Sequence, residues 1–380
     1  MKRKPVQNQP SLPERWEAFL PWIVALMLAL APLLLGRLSP IPALAACSLL
    51  SLLVLVDLLL VGKKPQGLGR PAFLALGCFL LLNWLSLITS VDFAVSLAAV
   101  LQLTAGALAV WLVLRAAPHP STWSLALYGL VIGASLVALW GLKEYVITLQ
   151  SGTFTSWRTF STFDNPNLLA GFLAVSLLLT CALGLKALRQ RSWPGILLLG
   201  LTALLQLAIL GTTASRGGAL ALLAGLVAFS FALSWGRPAA KRLALGCLIA
   251  IVLLSSLILV PPVKAKVSAA FTGRASSTIF RAYTWAGTAK IVAARPLLGF
   301  GPGTFPITFA QYKLAAYTRM AHQDYLQFAA QAGLPAGFAF LVFIVLALRA
   351  SFPKTDDENP RRLLQAAVFG ALVALAAHAL

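Results

Sequence analysis

Histidine is the one side chain whose ordinary pKa lies close to neutral pH, and this chain of 380 residues has three: His119, His322 and His378. His322 closes the stretch 261–322, which holds eight basic residues and no acid: Lys264, Lys266, Arg274, Arg281, Lys290, Arg295, Lys313 and Arg319. An imidazole in that setting can take a proton from a hydroxyl while neighbouring cations hold an anion. A histidine at a helix start or a lipid interface, with no chemistry, fits the same pattern. Arg216 stands in Thr212-Thr213-Ala214-Ser215-Arg216-Gly217-Gly218, a break between two apolar runs with almost no loop. A charge there meets the helix bundle or its rim, and a guanidinium binds phosphate through two parallel hydrogen bonds. Arg281 lies one turn before Trp285 and offers either a second phosphate contact or a solvated helix face. Lys313, Arg319 and Asp324 are further substrate-binding candidates close to His322. Asp164-Asn165-Pro166-Asn167 reads as a helix cap whose Asn165 and Asn167 can also meet polar substrate groups.

Other chemistries find less support. Cys47, Cys78, Cys181 and Cys247 each fall in an apolar stretch without metal-ligand spacing, so neither a metal nor a disulfide is expected. Gly299-Phe300-Gly301-Pro302-Gly303 lacks the following Lys-Ser/Thr and the preceding strand of a phosphate loop, and reads as a structural turn.

The elements that position these residues follow from composition. The chain is 59% hydrophobic and only 11% charged, with a mean hydropathy of +0.87. That excludes a soluble globular domain, a disordered chain and an outer-membrane barrel, and predicts an all-α polytopic membrane protein. Apolar runs long enough to span lie at about 18–36, 41–62, 71–89, 94–114, 123–147, 167–185, 194–213, 217–235, 241–260, 333–349 and 361–380, which makes eleven. No cleavable signal peptide precedes the first of them. Basic residues gather at the N-terminus and in alternate connections, while the short loops between carry only Arg37, Arg158 and Arg216. The positive-inside rule then puts the N-terminus in the cytoplasm and His322 on the outer face. Much of the net charge of +20 is therefore a matter of topology, and nucleic acid is not an expected partner.

The acid-free stretch escapes that rule. Its charge calls either for anionic headgroups or for an anionic substrate. Ionisable residues within spans are few: Asp57 lies late in span two, and Lys143 and Glu144 near the outer end of span five can neutralise each other. Proton-coupled transport is poorly supported by that pattern. Three regions follow: an N-terminal bundle of nine spans at 1–260, a loop with amphipathic helices at 261–332 (278–294 and about 323–332), and C-terminal helices at 333–380. The last span stops without a cap or polar tail, which predicts a truncated C-terminus.

With these residues assembled, the sequence resembles the O-antigen ligase and polymerase superfamily of bacterial inner-membrane proteins. The matching pieces are Ser161-Thr162-Phe163-Asp164-Asn165-Pro166-Asn167-Leu168-Leu169-Ala170-Gly171, Ser215-Arg216-Gly217-Gly218, Phe280-Arg281 with Trp285, Arg295 through Gly303, and His322-Gln323 before Gly333. The resemblance covers about residues 150–345. It implies a GT-C-type glycosyltransferase fold of about twelve spans, eleven of them seen here, with a large helical periplasmic loop. It implies metal-independent, inverting transfer of a glycan from an undecaprenyl-diphosphate carrier, with no cofactor. His322 would then activate the acceptor hydroxyl, and Arg216 and Arg281 would hold the lipid diphosphate. Acceptors in such families are lipid A-core, another glycan or a protein hydroxyl, so ligase, polymerase and protein O-glycosyltransferase all remain open. Two departures stand out. Ala336 occupies a position usually Gly, Thr or Tyr, and the family's further His/Asp-containing segment is missing beyond His378-Ala379-Leu380. The sequence also looks like a cyanobacterial branch described as bicarbonate transporters, whose pattern lacks a histidine at position 322. A small-anion transporter and a non-catalytic assembly subunit are the rival readings.

Overall fold

Each apolar run must satisfy its own backbone hydrogen bonds, because lipid offers none, and the helix is the way one segment does so alone. The computed structural model describes residues 11–34, 40–118, 122–152, 157–235, 276–314, 316–353 and 361–379, and among these it is helical without strands. The first eight helices are α1 (Leu12–Leu34), α2 (Pro40–Leu60), α3 (Arg70–Leu85), α4 (Phe93–Ala116), α5 (Thr122–Gln150), α6 (Pro166–Arg189), α7 (Trp193–Thr212) and α8 (Arg216–Ser234). After them come α9 (Ser276–Ala294), α10 (Phe305–Tyr312), α11 (Asp324–Ala332), α12 (Leu334–Ser351) and α13 (Arg361–His378).

Among the described residues, nine helices are long and apolar enough to cross a membrane, and α13 is a shorter apolar helix. Ten of the eleven expected spans thus have a helix. The ninth, 241–260, lies outside the described residues, as do Lys264, Lys266, Arg274, Cys247 and His119. The third expected span tightens into a 3₁₀ turn at Ser86–Thr89 before it ends. The two amphipathic stretches form α9 and α11.

Helix starts are written in short polar side chains. Asp92, Asn165, Ser215 and Gln323 each accept a backbone N–H from the first turn of α4, α6, α8 and α11. Pro166 at the first position of α6 reinforces that start. Packing then relies on small residues. A Cβ at Gly129 would sit 2.2 Å from the Ala25 carbonyl oxygen, so α5 lies directly on α1. α2 packs on α4, α3 on α12, and α6 touches α7, α8 and α13. One buried cluster joins Leu169, Leu173 and Leu178 of α6 to Ile209 of α7, Leu222 of α8 and Ala374 of α13.

The two ends of the bundle differ in chemistry. At one end Arg115 pairs with Asp57 at 3.0 Å and with Glu17 at 3.1 Å, and Lys63 reaches the same Glu17 at 2.7 Å. Trp16 donates its indole N–H to Asp57. Asp57 is fully buried and Arg115 is 2% exposed, so this is a neutralised pair inside the protein. The opposite end carries His322.

Candidate functional site

Three turns converge at the His322 end, and each contains a non-glycine residue in the left-handed region. These are Ser161 (φ 53°) before α6, Ala214 (φ 48°) between α7 and α8, and His322 (φ 58°) before α11. Such backbone is costly and persists where surrounding contacts fix it. Here the contacts are explicit. The Ser161 N–H donates to Glu144 Oε2 at 2.8 Å, and the Ser161 hydroxyl donates to the Val137 carbonyl at 2.7 Å. Thr162 donates to the Pro32 carbonyl at the end of α1. At the outer end of α5, Lys143 lies 5.2 Å from the centre of the Trp140 ring, and Glu144 accepts the N–H that holds the Ser161 turn.

Arg158 ties two of the turns together. Its Nε donates to the Thr213 carbonyl and its guanidinium NH₂ to Asn167 Oδ1, both at 2.7 Å. Burial pushes this guanidinium's pKa down from its ordinary value. Asn165, the cap of α6, accepts the Asn167 N–H and turns its amide towards Met320 Sδ at 3.9 Å. That contact sets the start of α6 beside the loop that carries His322. Arg216 opens α8 directly after this break, with its side chain exposed.

α9 approaches from the other side. Trp285 donates its indole N–H to the Ala321 carbonyl at 3.1 Å, and Gln327 accepts the Ala321 N–H at 3.0 Å. Arg281 is one helical turn from Trp285, on the same face. Phe280 meets the His322 ring edge to face at 6.3 Å. Thr318 Oγ1 lies 3.3 Å from His322 Nε2. Desolvation first, and the Arg281 charge second, hold the His322 pKa below its ordinary value. An imidazole kept neutral can accept a proton at neutral pH. Asp324 follows two residues later. Its side chain keeps an open face, yet the surrounding protein excludes enough water to push its carboxyl up to about 6. Burial, and then the Asp324 charge, raise the neighbouring Tyr325 hydroxyl.

His322, Arg281, Arg216, Asn165, Asn167 and Asp324 thus gather at one end of the bundle. Lys313 and Arg319 are exposed, and no described contact joins either to the histidine. Two residues here escape a reading of the sequence. Arg158 counts there only as a loop charge, although it bridges two turns. His378, at the end of α13, packs against α6 at Gly171, and Arg281 is near enough to act on it electrostatically. Helical periodicity places neither; only the three-dimensional meeting of α6, α8 and α13 does.

The glycine-rich turn is a packing device. Gly301, at φ 102°, donates its N–H to the Gln331 carbonyl, and a Cβ there would lie 2.4 Å from Ser96 Oγ. Arg295 donates to the Thr89 carbonyl at 2.6 Å and lies 4.3 Å from the centre of the Phe300 ring. These contacts dock the segment between α9 and α10 onto the α3–α4 connection.

Residues 201–341 match the O-antigen ligase family. The match runs from within α7 into α12 and includes Arg216, Arg281, Lys313, Arg319, His322 and Asp324. Asn165, Asn167, Arg158 and His378 lie outside it. No curated protein matches the chain. The chain is an all-α polytopic membrane protein, and its similarity to the O-antigen ligase family over residues 201–341 supports a membrane transferase of the ligase and polymerase kind.

Proposed function

We propose that this protein transfers a glycan from an undecaprenyl-diphosphate carrier to an acceptor hydroxyl, at the periplasmic face of the bacterial inner membrane. The observation that carries the reading is the meeting of His322 with Arg281 beside the capped start of α6 and the Arg216 break. His322 accepts the proton of the acceptor hydroxyl as its oxygen attacks the anomeric carbon. The bond from that carbon to the diphosphate oxygen breaks as the new glycosidic bond forms, with inversion. Arg281 and Arg216 stabilise the charge that develops on the departing lipid diphosphate, a role that preorganised cations fill without a metal. Asn165, Asn167 and Asp324 offer polar contacts to the sugars, and Lys313 and Arg319 supply an outer cationic rim. The acceptor is lipid A-core, a glycan repeat or a protein hydroxyl.

The test is transfer from a purified lipid-diphosphate glycan to a panel of those acceptors. The wild-type protein is expected to form a product with at least one of them, His322→Ala to lose the activity, and Arg216→Ala to weaken donor binding. Full activity in His322→Ala would remove the base assignment. Solute counterflow in proteoliposomes without any glycan transfer would replace the reading with an anion transporter.

A further inference from the structure

α13 brings a second imidazole to this end of the bundle, outside the stretch that matches the ligase family. Its seat is built by absent side chains. A Cβ at Gly171 of α6 would lie 2.9 Å from His378 Nδ1 and 3.0 Å from both Cγ and Cε1. A Cβ at Gly217 of α8 would lie 4.0 Å from His378 Cδ2. The ring therefore rests against bare backbone on α6 and beside the residue that follows Arg216. The end of α13 is also fastened to the histidine loop. The Asp324 N–H donates to the Ala379 carbonyl at 2.8 Å, two residues from His322. Ala379 is buried, while His378 keeps a partly open surface. Arg281 acts electrostatically on both His378 and His322.

A histidine used only to fill space would sit equally well among apolar side chains. This one is hydrogen-bonded to the backbone of Asn167 at the start of α6, which fixes the ring and leaves its second nitrogen at a cationic, partly open place, where an anion is the natural partner for an N–H donor. We propose that His378 is a further binding residue of the diphosphate pocket. With one ring nitrogen held by the Asn167 backbone, the other, protonated when the diphosphate anion is present, donates to a phosphate oxygen of the carrier lipid, between the groups supplied by Arg216 and Arg281. The ligand's identity rests on the glycosyl-transfer reading; the anion site itself rests on the geometry above.

Farnesyl diphosphate, with inorganic pyrophosphate in a parallel arm, is titrated into the full-length protein in detergent micelles. Binding of both probes makes the diphosphate group the recognised unit, and binding of farnesyl diphosphate alone adds the lipid as a requirement. Either fits the proposal. A hydrogen bond to a charged group predicts an affinity loss of about tenfold or more in His378→Ala. His378→Gln, which keeps an N–H donor, is expected to recover part of it. Gly171→Ala keeps the imidazole but displaces it, and is expected to weaken binding as well. Wild-type affinity in His378→Ala, with loss of binding in Arg281→Ala, would overturn the proposal and leave the transfer reading intact. A lowered melting temperature with unchanged affinity would do the same, because a purely structural histidine behaves that way. Binding that depends on His378, without transfer to any acceptor, would sink the transfer reading and keep the site. No binding of either probe by the wild-type protein would overturn both.

Discussion

The sharpest test of the base assignment is the shape of the pH–rate profile. His322 must be neutral to accept a proton, and burial followed by the Arg281 charge holds its pKa below 6.5. An imidazole at about 6.5 is already about three-quarters neutral at pH 7. His322 is more so. Raising the pH from about 7 to about 9 therefore gains less than about 1.3-fold in rate, while below the acidic limb the rate falls about tenfold per pH unit. His322→Ala is expected to cost about 10²–10⁴-fold, equivalent to about 3–5 kcal/mol in the barrier, and to abolish the limb. Arg281→Gln removes the smaller of the two causes. Its limb is expected to move up but to stay below 6.5, because the burial by Phe280 and Thr318 remains.

Asp324 is the confounding group, since its carboxyl titrates at about 6. Asp324→Asn separates the two: the limb persists if His322 is the base and vanishes if the carboxylate is. The assay is kcat/KM, from initial transfer rates at subsaturating donor and acceptor, which reports the groups of the free protein, across the pH range in which the protein stays folded. A several-fold rise between about pH 7 and about pH 9 would refute the reasoning, because the proton acceptor would then be a group with a pKa well above an imidazole's. Survival of the limb in His322→Ala would refute it equally.

Three other outcomes follow from contacts at and away from the base. The raised Asp324 carboxyl is a cost that the folded state carries once it ionises, so stability falls as pH rises from the usual carboxylate range through about 6; Asp324→Asn is expected to raise the melting temperature at pH 8 and to leave it nearly unchanged at pH 4. Arg158→Ala loses two short bonds from a half-buried guanidinium, about 2–3 kcal/mol in all, and Arg158→Lys recovers less than half of it because one ammonium cannot reproduce the fork; denaturation midpoints check both. At the opposite end, Arg115→Met leaves Asp57 buried without its cation and costs about 3–5 kcal/mol, whereas the double variant Asp57→Asn/Arg115→Met regains most of the loss, which a thermal-unfolding double-mutant cycle measures.

The helices were legible because their signals are local. Long apolar runs mark α1 to α8 and α12, and Asp164-Asn165-Pro166-Asn167 marks the start of α6, which begins at Pro166, one residue before the expected span. The amphipathic stretches that became α9 and α11 also follow from spacing alone. What could not be read is whatever depends on two distant segments meeting. Asp57 gained Arg115 as a partner across 58 positions, and Glu144 holds the Ser161 turn 17 positions away. His378 has a chemical place only because glycines on α6 and α8 leave room for its ring. Its position in the sequence, at the end of an apolar run, reads as a span terminus and nothing more.

The acid-free basic stretch shows how far a charge count carries. On the sequence its eight cations have equal claims on an anionic substrate. Among the five that are described, the structure separates them. Arg295 is committed to the Thr89 carbonyl and the Phe300 ring, and so serves the packing of the loop. Lys290, Lys313 and Arg319 project into the open, where a charge draws anions or headgroups to the surface but orients nothing. Arg281 shares with Lys290 the helix that Trp285 anchors to the residue before His322, but it stands one turn from that anchor, and its charge falls on both imidazoles of the site. The surplus charge therefore divides into a diffuse attraction and a single placed guanidinium, and it is the placed one whose removal should change the course of a reaction as well as its rate of encounter.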